Sequence, residues 1–284
     1  MAFVNSNAVS RGNETLDAKF SQLVEPNLYP DQIFQPNITF TDKYETDAMG
    51  QLFVRKLGKG TVDRTSALAF SHDQTTDTLI SIVLDEPFKQ SEAIYEAVEI
   101  ARSSGTGVAK FETVMSNVQA EWQSVAHSKL VAGATASAVL TATTTSAEFK
   151  TNFVAVRKEL RDNDAKPDVL IASTKQYSYM LDYSGKEYQP NYNDEVMRTG
   201  SVGRFLGANV YESTILEDDG TTGSVEFVFY DHDAYSILSQ LIASRIIDAG
   251  KDWAGSAAQV HIISGFKVTN AERVYKKTVD TSGE

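Results

Sequence analysis

The apolar positions divide the chain into a weakly patterned N-terminal stretch, a strand-rich segment, and a longer part that mixes helices and strands. Residues 1–35 carry only scattered apolar side chains, which is typical of either a disordered tail or an arm that orders on a partner. Two apolar, β-branched runs at 51–57 and 79–84 flank a polar connection. They predict a long two-stranded hairpin, which is marginal alone and normally rests on another structure, such as a second subunit.

Helical spacing dominates the next part of the chain. It predicts a helix in QSEAIYEAVEIAR (90–102), with Ile94, Ala97, Val98 and Ala101 on one face. It also predicts a helix over 109–131, roughly 35 Å long, on which Trp122 is a core residue. The apolar stripe of this helix is predicted to be Phe111, Met115, Val118, Trp122 and Val125. A helix this long in a chain of 284 residues indicates a structural spine.

A third helix is predicted from Thr145, which forms a capping box with Glu148. Its apolar stripe is Phe149, Phe153, Val156 and Leu160. The remaining predictions are a buried strand (VLIAS), a short helix (TKQYSYMLDY), strands in ANVYEST and VEFVFYD, and a long strand in AQVHIISGFKVTNAERVYKK. Two short acidic segments are interpreted as turns, EDDGTTGS and the stretch around His232. Helices and strands mix without a regular βαβ order, which indicates an α+β fold.

Composition narrows the function classes. The formal net charge is −12, which argues against a sequence-independent grip on a nucleic-acid backbone. The chain contains no cysteine, which excludes disulfides and thiolate metal sites. No secretory signal or membrane-spanning run is recognisable, so a soluble cytoplasmic product is expected.

Three glycines, Gly200, Gly203 and Gly207, surround an arginine in TGSVGRFLGANVYEST, a composition that often indicates a phosphate site. Their spacing matches neither the dinucleotide fingerprint nor the P-loop, and GKGT at 58–61 also fails the P-loop pattern. We therefore interpret these glycines as residues needed for a turn and for close backbone packing.

No catalytic constellation is recognisable in the sequence. The four histidines (His72, His127, His232 and His261) lack metal-ligand spacing, and no G-x-S-x-G motif is present. No catalytic residue, cofactor site or metal site is predicted. A carboxylate-based hydrolase stays open as an alternative, and it would be a compact monomer with a deep acidic cleft.

The order of these elements resembles that of the major capsid proteins of tailed bacteriophages, the coat fold of the Hong Kong phage type that encapsulins share. The resemblance rests on order and on four weak motifs, PDVLIASTKQYSYMLDYSG, GRFLGANVYEST, VEFVFYDHDAYSI and HIISGFKVTNAERVYKK. The chain departs from the family pattern at Ala172-Ser173, where Asn-Pro is usual, and at Ala208-Asn209, where a proline follows the glycine.

The resemblance implies an α+β coat fold with five parts. They are an N-terminal arm (1–35), peripheral strands with an extended β-hairpin loop (36–87), a spine helix with a peripheral domain (88–140), an axial domain (141–245), and C-terminal strands that return to the peripheral and axial core (246–284). The long polar hairpin would then lie across a neighbouring subunit. The expected contact residues between subunits are Lys56, Lys59, Arg64, Asp73 and Asp77.

The function implied by the resemblance is that of a coat protein, not an enzyme, and it needs no cofactor. Pentamers and hexamers would form an icosahedral head around double-stranded DNA, without sequence-specific DNA contact, assembled in the host cytoplasm. A separate scaffolding protein, a portal and a decoration protein are the expected partners, and no membrane is involved. No crosslink through Lys56 or Lys59 is expected. The alternatives are an encapsulin-type compartment and, less favoured because of the long helix, a phage tail or decoration protein.

Overall fold

The computed structural model describes residues 33–41, 51–56, 78–95, 106–138, 142–184, 187–190, 201–216, 223–248 and 255–279. Its helices in these ranges are α1 (Thr106–Gly133), α2 (Ser146–Asp162) and α3 (Thr174–Leu181). The strands are β1 (Gln51–Lys56), β2 (Thr78–Val83), β3 (Glu86–Tyr95), β4 (Thr135–Ala136), β5 (Val169–Ser173), β6 (Tyr188–Pro190), β7 (Gly203–Phe205), β8 (Ala208–Ser213), β9 (Val225–Tyr230), β10 (Tyr235–Asp248), β11 (Gly255–Val268) and β12 (Val274–Thr278). The mixed α+β class is therefore confirmed.

Helix α1 is the longest described helix, with 28 residues and a length of about 42 Å. Its buried line is Val114, Val118, Trp122, Ala126 and Leu130. The predicted stripe is thus correct at Val118 and Trp122, while Met115 and Val125 are only partly buried beside it. Residues four apart lie on neighbouring turns of the helix, so these side chains form one continuous ridge along α1. The side chain of Phe111 is outside the described residues.

A three-stranded sheet with the order β10-β11-β3 lies against α1. The helix predicted at 90–102 is wrong at its start, because Glu86–Tyr95 is a strand that pairs antiparallel with β11 from Glu86↔Ser264 to Tyr95↔Gly255. The partner strand is about 170 residues away in the sequence, so local spacing could not indicate it. Residues 96–105 lie outside the described residues.

Strands β1 and β2 form a separate two-stranded ribbon, paired antiparallel from Gln51↔Val83 to Lys56↔Thr78. The connection between them, residues 57–77, lies outside the described residues. The ribbon packs on the three-stranded sheet through Leu52, Val54 and Ile82, which contact Leu238 and Ile263. Gly265 permits this crossing, because a Cβ there would overlap the carbonyl oxygen of Val83.

The second sheet has seven strands in the order β4-β12-β9-β5-β8-β7-β6. Helix α2 covers it, and the predicted stripe of Phe149, Phe153, Val156 and Leu160 is fully buried. The capping box is also confirmed: the Glu148 amide donates to Thr145 Oγ1, and the Thr145 amide donates to Glu148 Oε2 at 3.0 Å. Strands β5, β8 and β9 and helix α3 confirm the predictions for their segments.

The C-terminal strand prediction is wrong in one respect. The predicted long strand from Ala258 is divided into β11 and β12 by a 3₁₀ turn at Ala271–Arg273. The Thr269 amide donates to the Ala234 carbonyl at 2.8 Å, which binds this turn to the one between β9 and β10. At the first turn the chain passes from β9 of the seven-stranded sheet to β10 of the three-stranded sheet, and at the second it returns from β11 to β12. The two sheets are therefore joined through this part of the chain.

The two larger hydrophobic cores of the described residues lie on opposite faces of the seven-stranded sheet. One is enclosed by α1, the three-stranded sheet and one face of the seven-stranded sheet, and it includes Phe34, Trp122 and Ile171. The other lies under α2 and contains an aromatic group in which the rings of Phe153 and Phe229 are 4.8 Å apart between centroids. No described helix is both long and apolar enough to cross a membrane. Residues 1–32 of the predicted arm (1–35) and residues 217–222 of the predicted acidic turn (217–224) lie outside the described residues.

Candidate assembly surfaces

The outer face of the β1–β2 ribbon carries exposed apolar side chains among polar ones, although its inner face already rests on the three-stranded sheet. Strand alternation places Leu52, Val54 and Ile82 on the inner face and Phe53, Leu79 and Val83 on the outer face. Phe53 is 61% exposed and Leu79 is 67% exposed. A two-stranded ribbon with apolar side chains on both faces has the composition of a central sheet strand pair, so its outer face is a candidate contact surface.

The predicted contact residues between subunits fall mostly on the connection of this ribbon. Lys56 ends β1 opposite Thr78 and is exposed. Lys59, Arg64, Asp73 and Asp77 lie in 57–77, outside the described residues. The contact of these five side chains with a neighbouring subunit therefore stays a prediction.

A basic groove is formed by the face of the three-stranded sheet that points away from α1, beyond the end of the ribbon. The groove has a volume of about 380 Å³, and the basic residues that line it are Lys89, Arg245 and His261. Register places Lys89 beside His261, and it places Ser91 beside Gln259, which in turn pairs with Arg245. The Arg245 Nε donates to Gln259 Oε1 and Gln259 Nε2 donates to Ser91 Oγ, both at 3.3 Å. None of the described lining residues is acidic.

The basic groove was not predicted from the sequence, because the helix predicted at 90–102 begins directly after Lys89 and includes Ser91. Each strand contains one short alternation of polar residues, Lys89-x-Ser91 on β3 and Gln259-x-His261 on β11. Residues i and i+2 of a strand lie on the same face, so these pairs indicate a polar surface. The strand pairing that joins the two segments is not visible in either of them.

The edge of the same sheet carries a second, smaller apolar feature. The register of β10 and β11 shifts between Leu241 and Ala243, and this β-bulge leaves Leu241 and Ile242 exposed. A bulge on an edge strand interrupts the row of free backbone groups and so limits uncontrolled pairing with another chain.

Gly203 and Gly207 serve the backbone, as predicted from the sequence. Gly207 has φ +89°, and Leu206 before it also has a positive φ of 47°, which is the pattern of a two-residue hairpin turn between β7 and β8. A Cβ at Gly203 would lie 2.6 Å from the ring of Tyr188. Gly200 lies outside the described residues. In the described part of this segment, the glycines therefore provide a turn and a close contact.

An acidic group surrounds His232 in the 3₁₀ turn between β9 and β10, as predicted for this segment. His232 Nδ1 is 2.7 Å from Asp168 Oδ2, and Asp231 lies between this pair and Arg273. The side-chain oxygen and nitrogen atoms of Asp168, Asp231 and His232 that could bind a metal ion lie within 4.8 Å of one another. The backbone amides of Lys166 and Asp233 donate to Asp231. Burial raises the pKa of the Asp168 carboxyl. These contacts fasten the start of β5 to the turn after β9.

A serine and a histidine meet inside the protein, where Ser213 Oγ lies 3.2 Å from His127 Nδ1. Both side chains are buried, and the ring of Phe34 packs edge-on against the imidazole. Burial lowers the pKa of His127 to about 4. The pair joins α1, the end of β8 and the segment 33–41, and its burial keeps substrate-sized molecules from reaching it.

One ion pair is fully buried in the seven-stranded sheet. Lys277 Nζ on β12 lies 3.6 Å from Glu226 Oε2 on β9, with side-chain exposures of 0% and 1%. Glu226 also accepts hydrogen bonds from the Thr143 amide and hydroxyl at 2.7 and 2.6 Å. Asn152 Nδ2 of α2 donates to the same hydroxyl at 2.9 Å. The network holds the segment before α2 against the sheet.

The chain matches no protein-family model and no curated protein. It is similar in structure to a chain from Mycobacterium phage Che8, with a TM-score of 0.66 and 18% identity over 89% of this chain and 96% of that one. The capsid of the cyanophage P-SCSP1u gives a TM-score of 0.57 and 11% identity over 83% and 85%. A virus-like particle from Pyrococcus furiosus gives 0.52 and 13% over 80% and 86%. The chain therefore has a phage coat fold.

Proposed function

We propose that this chain is the major capsid protein of a tailed bacteriophage of the Hong Kong phage type. Its copies form hexamers and pentamers, and these form an icosahedral head around double-stranded DNA. The role is structural and needs no catalytic residue or cofactor. The observation that carries the proposal is the similarity in structure to a chain from Mycobacterium phage Che8, which extends over 89% of this chain and 96% of the other.

The β1–β2 ribbon supports self-association. Its outer face carries Phe53 and Leu79, both more exposed than buried. Burying these two side chains against a neighbouring copy removes apolar area from water, which favours association. We assign the ribbon and its connection to the extended hairpin loop of the coat fold, and helix α1 to its spine. The residues Lys56, Lys59, Arg64, Asp73 and Asp77 then lie at the contact with the neighbour.

The acidic surface is consistent with a wall that encloses DNA without binding it tightly. With a net charge of −12, each copy repels the phosphate backbone at distances within the Debye length, about 8 Å at physiological salt. We propose that a separate scaffolding protein guides assembly in the host cytoplasm, and that a portal and a decoration protein complete the virion capsid.

Imaging of the purified protein tests the proposal. The mass of the particles is measured by light scattering and their shape by negative-stain electron microscopy, with and without the products of neighbouring genes. Shells tens of nanometres wide, or isolated hexamers and pentamers, are the expected result. A protein that stays monomeric under every condition contradicts the proposal.

A second candidate is an encapsulin-type compartment, favoured by the similarity to the virus-like particle from Pyrococcus furiosus. Such a shell would hold a protein cargo in place of a genome. Shells recovered from the native host distinguish the two functions by their contents, since nuclease-protected DNA indicates a phage head and a co-purifying enzyme indicates a compartment. The presence of portal and terminase genes beside the gene for this chain would favour the phage head.

A further inference from the structure

We propose that the basic groove formed by β3, β10 and β11 binds the acidic run Glu217-Asp218-Asp219 of a second copy of this chain. The proposal rests on the proposed function and deepens it, because it adds a contact between subunits that does not involve the outer face of the ribbon. The ligand class is a short carboxylate-rich peptide segment, and its source is the coat protein itself.

The groove is positively charged on a strongly acidic protein. Lys89, Arg245 and His261 line it, and none of its described lining residues carries a carboxylate. The hydrogen-bonded row from Arg245 through Gln259 to Ser91 holds the guanidinium in place, so less side-chain entropy is lost when an anion binds. A cationic groove of this kind is complementary to carboxylates.

The acidic run is the most concentrated negative segment of the sequence. Residues 217–219 are the only three consecutive acidic residues, and no lysine or arginine occurs between Arg204 and Arg245. The three carboxylates therefore concentrate negative charge in a short stretch of chain, which is complementary to the cationic side chains of Lys89 and Arg245.

Within one chain, the segment that leads into the acidic run lies on the face of the three-stranded sheet opposite the groove. Ser213, four residues before Glu217, contacts His127 of α1, and α1 lies on the face opposite the groove. Trp122 of α1 donates to Ser264 of β11, so His127, which is further along α1, lies nearer the Val268 end of β11. Gln259 of the groove lies in the other direction, roughly 16 Å from Ser264 along the strand. The run would have to pass around the sheet to reach its own groove, so the occupant is a second copy.

Zero-length carbodiimide crosslinking tests the contact, since it joins a lysine amine directly to a carboxylate in an ion pair. Shells are assembled from a mixture of ¹⁴N-labelled and ¹⁵N-labelled full-length protein, crosslinked, digested and analysed by mass spectrometry. The expected product joins Lys89 to residues 217–219, with mixed isotope labels that prove a link between copies. Lys267, exposed on the same face of β11 outside the groove, is the internal control and should give no such link.

Charge reversal adds a functional readout. The variant K89E/R245E is expected to reduce the yield of shells at least tenfold, and adding E217K/D218K/D219K is expected to restore it, while K267E alone leaves it unchanged. Shells that give no link from Lys89 to 217–219, or a link from Lys89 to Asp73 or Asp77 instead, overturn the groove assignment and leave the proposed function standing. A wild-type protein that forms neither shells nor capsomers overturns both. Failure of the five-residue variant to recover, with its fold intact by circular dichroism, also overturns the groove assignment.

Discussion

At the residue scale, the buried pair of Lys277 and Glu226 shows how a charge contributes to a sheet core. The lysine amine is enclosed between β9 and β12, and its opposite charge, Glu226, also accepts two hydrogen bonds from Thr143. Removing both charges would leave a polar pocket, whereas removing only one leaves an uncompensated charge in an environment of low dielectric constant.

Lys277→Met is therefore expected to lower the free energy of unfolding by about 3–5 kcal/mol, because Glu226 stays buried without its cation. The measurement is urea unfolding followed by circular dichroism. The double variant K277M/E226Q keeps an acceptor for Thr143 and removes the leftover charge, so we expect it to be more stable than K277M. Equal stability of K277M and the wild type would show that Glu226 is neutralised by another group.

His127 makes the stability depend on pH. Burial lowers the pKa of its imidazole from 6.5 in the unfolded chain to about 4 in the folded one. Between these two values the unfolded chain binds a proton that the folded chain does not, so the free energy of unfolding falls as the pH drops from 6.5 towards 4. Above pH 6.5 the contribution of His127 is constant and complete. The total loss is about 3 kcal/mol, since one pKa unit corresponds to about 1.4 kcal/mol.

The check compares the slope of unfolding free energy against pH for three proteins, the wild type, His127→Gln and His261→Gln. His127→Gln is expected to lose the part of the slope between pH 6.5 and 4, whatever its absolute stability. His261 is only partly buried, and its variant serves as the matched histidine control. Identical slopes in all three proteins would contradict the assignment to His127.

At the element scale, the sequence predicts those structures that depend on neighbouring residues. Helix α2 follows from a stripe at helical spacing and a capping box, and both are satisfied within a few residues of each other. Strand β3 could not be predicted in the same way, because it exists through its pairing with β11. Its residue Ile94 fits the predicted helical face with Ala97 and Val98 equally well, so the distant partner decides the structure.

The crossing of the ribbon over β11 depends on Gly265. Gly265→Ala places a methyl group against the carbonyl oxygen of Val83, and neither backbone segment has a flexible end to move aside. We expect the ribbon to be displaced from Leu238 and Ile263, with a lower melting temperature and fewer assembled particles. Differential scanning fluorimetry and light scattering measure the two effects. Lys267→Ala, two residues away on the same face, should change neither.

At the scale of the whole molecule, assembly depends on surfaces that contribute little to folding of the single chain. The double variant F53S/L79S is expected to unfold within about 0.5 kcal/mol of the wild type, because both side chains are exposed in one copy. It is expected to reduce the yield of shells at least tenfold, since the ribbon loses its apolar outer face. Unfolding is measured on the dissociated protein and shell yield by light scattering.

The matched control is V154S/L181S, which also removes two exposed apolar side chains, one of them a leucine, from α2 and α3. This control should form shells like the wild type. Shells formed equally well by F53S/L79S would exclude the outer face of the ribbon as a contact surface.

The candidate surfaces were less predictable from the sequence than the fold. The polar hairpin suggested a contact with another subunit, but it did not show that Phe53 and Leu79 would share one exposed face, since that depends on the pairing of β1 with β2. The basic groove was not predicted, because Lys89 lies on β3, far in the sequence from Arg245 on β10 and His261 on β11. Side chains that a sheet brings together across strands give no local signal.

The position of β12 inside the seven-stranded sheet determines when that sheet can be completed during synthesis. It lies between β4 and β9 in the seven-stranded sheet, and it supplies the lysine that neutralises Glu226. On the ribosome, this sheet cannot close until Val274–Thr278 has left the exit tunnel. The two strands that carry Arg245 and His261 emerge after the ribbon, β3 and α1. A nascent chain that lacks these strands therefore has no basic groove, and copies translated side by side on one messenger RNA cannot join through that groove until both strands have been made.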